Sequence, residues 1–361
     1  MARHTTRTTL ALLPLLALLA WHVPHAWAGP PTWYTVTDLG QTFATSLDDK
    51  ETVAGSTFGA EQNPAILAPT LHRLSMTGGV AWGLNNTRVV GNTGFLLSST
   101  PDVQVFGLHG FLWTAKGGLQ DLGTAGAADL FSAALGVNRS GVIVGFGDEP
   151  TTRESRPGIF RQGVLQLLPT LGGPTGTANA VNSQGWIVGQ SDTVAGLPHA
   201  TLWVMGLPLD LDTTGGPFSQ ATAVNDEGLI VGVAVFATGS HAFQWTQHHG
   251  LQDLGVLAAG HTSGALGLNA KGLIVGQDTD NSTFPPTLRA VVWQAGVLAD
   301  LNTQITAPGW TLEEARAINK DGVIVGQGRL NGQKRAFLLT PGKAGKGKGE
   351  ARVAAHVKDD D

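Results

Sequence analysis

An all-β ring of seven four-stranded blades, a seven-bladed β-propeller, is the fold this chain predicts, on three observations. A motif of the form Ala-x-small-aliphatic-Asn (Asp48 in the first copy), then a short turn, an aliphatic pair and Gly, recurs seven times, its Ala falling at Ala44, Ala81, Ala134, Ala178, Ala221, Ala265 and Ala315. The steps between these alanines are 37, 53, 44, 43, 44 and 50 residues. A repeat of roughly 40–50 residues matches one propeller blade of four strands. Finally, the last copy stops before its fourth strand, while Trp33-Tyr34-Thr35-Val36-Thr37-Asp38-Leu39-Gly40 is a strand with no blade before it. The spare strand fits the vacancy, closing the ring and removing exposed sheet edges.

Each blade reads as two hairpins, strands A to D. Ala134 to Val137 and Val142 to Gly145 flank Asn138-Arg139-Ser140-Gly141, whose Asn and Gly are turn formers. The same Asn-x-x-Gly turn recurs at Asn182, Asn225, Asn269 and Asn319, where the side chain is expected to cap its own turn. Small residues along strand A suit crowding at a central axis. The second hairpin is plainest at His241-Ala242-Phe243-Gln244-Trp245 and Leu251-Gln252-Asp253-Leu254-Gly255. Strands B and C carry apolar residues at successive positions, as strands covered on both faces do.

The ends of the chain differ in character. Arg3 and Arg7, an apolar run from Leu10 to Trp21 and Ala26-Trp27-Ala28 predict a secretory leader over 1–28, cleaved after Ala28. The propeller is expected over 29–341. Gly342 to Asp361 is Gly/Lys-rich, lacks apolar periodicity and is expected to be a disordered tail. The chain has no Cys, which excludes thiolate metal sites and a Cys nucleophile, and its formal net charge of −5 comes with no basic stripe, which argues against nucleic acid. No later segment approaches the about 20 apolar residues of a membrane span. A monomer without cofactor or bound metal is the expectation.

His-Ala-Phe-x-Trp, Asp-Leu-Gly and Ile-Asn-x-x-Gly-x-Ile-Val-Gly resemble the bacterial extracellular HAF-repeat family. The clearest copies are His241-Ala242-Phe243 with Asp253-Leu254-Gly255, and Ile318-Asn319 with Ile324-Val325-Gly326. The resemblance covers nearly the whole mature chain and implies secretion and a repeat fold. It transfers no catalytic residue and no substrate.

Comparison of the repeats sorts the polar residues. Strand C opens with His109, His199, His241, Arg289 or Arg335, and strand D answers with Asp121, Asp210, Asp253, Asp300 or, across the termini, Asp38. The two remaining blades read Pro64 with Arg73 and Pro157 with Leu167, so on this alignment base and acid come and go together. Arg in place of His suits a charge pair and not a metal ligand or general base. Trp113, Trp203, Trp245 and Trp293 share one strand-C position, as inter-blade packing would require.

The D–A and B–C loops share one face, where binding residues are expected. The longest are predicted over Asn92 to Leu108, Phe146 to Arg156 and Gln277 to Leu288. On that side the second residue of strand A differs in almost every blade: Thr45, Trp82, Leu135, Asn179, Thr222, Leu266 and Arg316. These should ring the channel mouth, with Trp82, Asn179, Arg316 and the loop residue His261 as candidate ligand contacts. Glu313 and Glu314, expected just before the last strand A, and Asp278, expected with Asp280 and Asn281 in one loop, are the carboxylates that could serve acid–base chemistry. The leading expectation is a secreted, non-enzymatic scaffold for an extracellular glycan, peptide or protein partner. The alternative is a propeller hydrolase or lyase acting on extracellular polysaccharide.

Overall fold

The computed structural model describes residues 33–58, 62–75, 77–99, 104–212 and 215–342, which fall in one compact unit, Pro31–Asp361. The leader predicted over 1–28, and all of the predicted tail except Gly342, lie outside these residues. Among the described residues no helix is long and apolar enough to cross a membrane.

Seven separate four-stranded antiparallel sheets form, each ordered A-B-C-D. In blade five these strands are Ser219–Val224, Ile230–Phe236, Gly239–Thr246 and Gly250–Asp253. Strand A of every blade touches strand A of both neighbours, so the small-residue strands are innermost. Blade seven takes Trp310–Ile318, Ile324–Leu330 and Gln333–Pro341 from the end of the chain and Tyr34–Asp38 from its beginning. Tyr34 pairs with Pro341 and Asp38 with Phe337, so Arg335 is reached diagonally, its guanidinium 3.4 Å from the Asp38 carboxylate.

The core is distributed between blades as seven apolar clusters, one per interface. The aliphatic pair of strand B explains this directly. Ile187 packs with Val144 and Trp203 on one side of blade four, and Val188 with Ile230 and Phe243 on the other. Each fully buried side chain of this size contributes about 1.5–3 kcal/mol. The Gly after the pair has a steric cause. A Cβ on Gly232 would collide with the carbonyl oxygen of Gln220 in strand A, and the same clash recurs at Gly55, Gly91, Gly145, Gly189, Gly276 and Gly326.

All five predicted base–acid pairs form. His109–Asp121 and His199–Asp210 are 2.8 Å apart, His241–Asp253 is 2.9 Å and Arg289–Asp300 is 3.0 Å, with Arg335–Asp38 completing the set. The partners are diagonal: each Asp stands opposite the third residue of strand C, as Asp253 stands opposite Phe243. Its other oxygen accepts the backbone N–H two residues on, from Gly40, Gly123, Asp212, Gly255 or Asn302. Gly40, Gly123 and Gly255 turn there with φ of +84°, +73° and +74°. Asp-Leu-Gly is therefore at once a charge partner and a turn.

Two blades correct the sequence alignment. Gly55 pairs with Ala65 and Gly145 with Gly158, as Gly232 pairs with Phe243, so the opening residues of strand C are Asn63 and Arg156 rather than Pro64 and Pro157. Blade three thus keeps a base where Leu167 has replaced the acid, and the Arg156 Nε is buried without a hydrogen-bond partner. The tryptophans pack between blades as expected. Trp203 and Trp293 are buried and donate to the Pro169 and Leu254 carbonyls of the preceding blade, at 2.7 and 3.0 Å.

The turn asparagines do more than cap. The Asn182 Oδ1 accepts from the Trp186 N–H while its Nδ2 donates to the Asn225 carbonyl of the next blade at 3.0 Å. The chain of inter-blade bonds runs Asn138, Asn182, Asn225, Asn269, Asn319 and ends on the carbonyl of Asp48, which holds this position in blade one.

The loop face differs from expectation in one large feature. The described part of the stretch from Asn92 to Leu108 is strand rather than loop. Strands B and C of blade two extend over Arg88–Ser99 and Gln104–Thr114 as a long hairpin. The other two predicted loops shrink to the short connections between Asp148 and Ser155 and between Asp280 and Thr287.

Candidate functional site at the wide end of the channel

In every blade the A–B register slips by one residue immediately after the motif Ala. The extra residue of each bulge is Thr45, Trp82, Leu135, Asn179, Thr222, Leu266 or Arg316. A bulged residue has no partner across the ladder and its side chain is re-aimed. All seven line one cavity of about 260 Å³ on the axis of the ring, with the small and aliphatic residues that follow them beneath. This is why the position varies while the Ala before it does not: the bulge detaches it from the sheet.

The polar lining is held by the scaffold. The Thr45 hydroxyl donates to the Ala81 carbonyl at 2.6 Å, Thr222 to Ala265 at 2.8 Å, and the Asn179 Nδ2 to Ala221 at 2.8 Å, each on the next blade. The Trp82 indole N–H is pinned by the Asn92 Oδ1 at 2.9 Å. Arg316 lies 4.5 Å from the centre of the Phe43 ring, and its NH2 is 2.6 Å from the Glu314 Oε2. That ion pair is short but does not meet hydrogen-bond geometry at the Glu314 Oε2, and the Arg316 Nε is likewise buried without a hydrogen-bond partner. The hydroxyl hydrogens of Thr45 and Thr222, the Trp82 N–H and one of the two Asn179 amide hydrogens are thus spent on the ring. What lines the cavity is the Trp82 indole, the Thr45 and Thr222 hydroxyls, the Asn179 amide, the Leu135 and Leu266 side chains and the Arg316 guanidinium.

The remaining candidates are placed differently. Glu313 and Glu314 lie inside strand A of blade seven, not before it, and Glu313 is bound by Arg329 at 2.7 Å. The two carboxylates are thus neutralised by separate arginines. Asp278 and Asp280 belong to strand B of blade six, and Asn281 alone follows in the connection. His261 does not line the cavity. Its Nδ1 contacts the fully buried Asp278 at 2.5 Å, its Nε2 lies 3.8 Å from Asp280, and Asp278 also accepts the Leu257 N–H. Phe43 and Asn92, which orient Arg316 and Trp82, carried no repeat signal in the sequence. Asp48 did: it stands where five other blades have a ladder Asn.

No family model and no curated protein matches the chain. Among solved structures it is similar to TolB from Acinetobacter baumannii, with 11% identity and a TM-score of 0.40 over 70% of this chain and 64% of that one, less than two thirds of its length. The class is set by the seven sheets themselves: a seven-bladed β-propeller with a bulge-lined central cavity.

Proposed function

We propose that this protein is a secreted, non-enzymatic scaffold of the HAF-repeat type, binding an extracellular glycan, peptide or protein partner on its loop face. The wide end of the channel would carry the specificity. One observation carries this reading: the seven positions that vary between blades are the seven bulge residues, and they converge on one cavity. The cavity is slightly below the usual 300–1,000 Å³ of small-molecule sites. That suits a single sugar ring or one side chain of a larger partner. Acceptor oxygens beside an indole suit a ligand rich in O–H or N–H donors with an apolar face. Export is supported by the leader-like segment over 1–28.

The test is a screen of the mature protein against glycan and peptide arrays, followed by variants. Trp82→Ala and Arg316→Ala should weaken any confirmed ligand at least about tenfold, as buried anchors do. Unchanged affinity in both would move the site away from the channel.

A further inference from the structure

We propose that the opposite, narrow end of the channel binds a hard divalent cation of the calcium type, with Asp48 as its charged ligand. The A–B turns surround a second cavity of about 170 Å³ there, lined by Asp48, Asp49, Asn85, Asn86, Arg139 and Lys320, among others. The asparagine ladder circles this end and should return to its start through blades one and two. It does not. The Asp48 Oδ1 accepts the Lys50 and Thr52 N–H groups, repeating the cap of the other blades. Its Oδ2 stands where those blades present a donating Nδ2, and it is buried with no hydrogen-bond partner. The residue is 6% exposed.

A carboxylate cannot make the bond an amide makes here. Putting a charge into a buried position that five blades fill with a neutral side chain is costly unless a counter-charge meets it. The neighbouring cations are engaged elsewhere: Arg139 with Asp49 at 3.3 Å and Lys320 with Asp321 at 2.6 Å. Asp48 is left as the one uncompensated charge among these five residues. Blade two supplies the space, because its A–B turn holds Asn86 and Thr87 alone, between Asn85 and Arg88. Besides Asp48, the side-chain amides of Asn85 and Asn86 line the cavity, and their oxygens can ligate a cation. An oxygen-only set with one carboxylate selects a hard cation over zinc or copper. Among the described residues no three His, Cys, Asp or Glu side chains converge on a metal position, so binding should be weak, with Kd about 0.1–1 mM.

The experiment uses the full mature protein stripped with a chelator. Calorimetric titration with CaCl2 should give one site. Thermal unfolding with about 10 mM CaCl2, at matched ionic strength, should raise Tm by about 2 °C or more, with MgCl2 less effective. Asp48→Asn supplies the missing Nδ2, so it should raise the Tm of the stripped protein and abolish the calcium effect. No calcium binding to the wild type, or an equal calcium shift in Asp48→Asn, overturns the proposal. In the first case a water or proton fills the gap. Titration of the wild type needs no variant and decides the matter even if Asp48→Asn folds poorly.

Discussion

His109 shows how one side chain can serve the scaffold and still respond to pH. Its bond to Asp121 raises its pKa above the ordinary 6.5, against the opposing effect of burial, with help from the Ala128 carbonyl. Burial disfavours the Asp121 carboxylate, but the bonds from His109 and the Gly123 N–H outweigh this and hold its pKa below 3.8. The signs fix a window. The histidine's contribution is complete below pH 6.5 and is lost as pH rises through its elevated folded value. The aspartate's contribution is present above pH 3.8 and is lost as pH falls through its depressed one. Stability from this pair should therefore be greatest between about pH 4 and 6.5. NMR titration should place the His109 pKa above 6.5, and His109→Gln should flatten the stability profile between pH 6 and 8. A His109 pKa at or below the ordinary value would remove the charge-pair account. The five pairs were legible because base and acid recur together at fixed positions of one motif, although blade three, with Arg156 and Leu167, keeps the base without the acid. The exceptions misled because Pro64 and Pro157 are conspicuous, whereas only the cross-strand register reveals that Asn63 and Arg156 hold the position.

At the scale of the strand pair, the motif Ala, the bulge and the closing Gly are one device. The Ala lies opposite the Gly, as Ala221 does Gly232, and the register slips just after it. The chain passes so close that no Cβ fits: a methyl on Gly232 would meet the Gln220 carbonyl and the Phe243 ring. Backbone cannot yield as a flexible side chain can, so Gly232→Ala should cost about 3 kcal/mol, near the top of the range for overpacking. Denaturant unfolding checks this, with Gly260→Ala as the comparison, since nothing lies near its Cβ and its cost should come from its φ of +86°. A Gly232→Ala cost below about 1 kcal/mol would mean that the strands part easily and that the bulge is not rigid. Variation of the second strand-A position could be seen in the sequence, but its cause could not, because a bulge leaves no residue signature beyond that variation. The long hairpin of blade two was missed for a similar reason. Gly94, Ser98 and Ser99 interrupt the β-branched pattern that marks its other strands. Glu313 and Glu314 precede the repeat motif, which begins at Ala315, so the sequence alone sets them before the strand, yet they lie within it, paired with Arg329 and Arg316.

At the scale of the molecule, the ring depends on a junction between the two ends of the folded chain. Tyr34 and Val36 are each 2% exposed and belong to the cluster that joins blades six and seven, with Phe337 and Leu339. Five backbone register pairs and the Gly342 N–H bond to the Trp33 carbonyl complete the seam. Removing Trp33 to Gly40 would expose those side chains and leave strand C of blade seven as a free apolar edge. Loss of the two buried side chains alone removes about 3–6 kcal/mol. That is comparable with the whole stability of a typical domain, about 5–15 kcal/mol. The deletion should therefore yield aggregated protein without a cooperative transition. Arg335→Ala, by contrast, should cost only about 0.2–1 kcal/mol, because it removes one diagonal pair and leaves the strand in place. The decisive control restores the strand in a new position: a permuted chain carrying residues 33–40 through a flexible linker after Gly342. If closure is the cause, that chain should fold with a melting temperature within a few degrees of the parent. A deletion that still melts cooperatively near the parent temperature would show that six complete blades and three strands hold the ring without the seam.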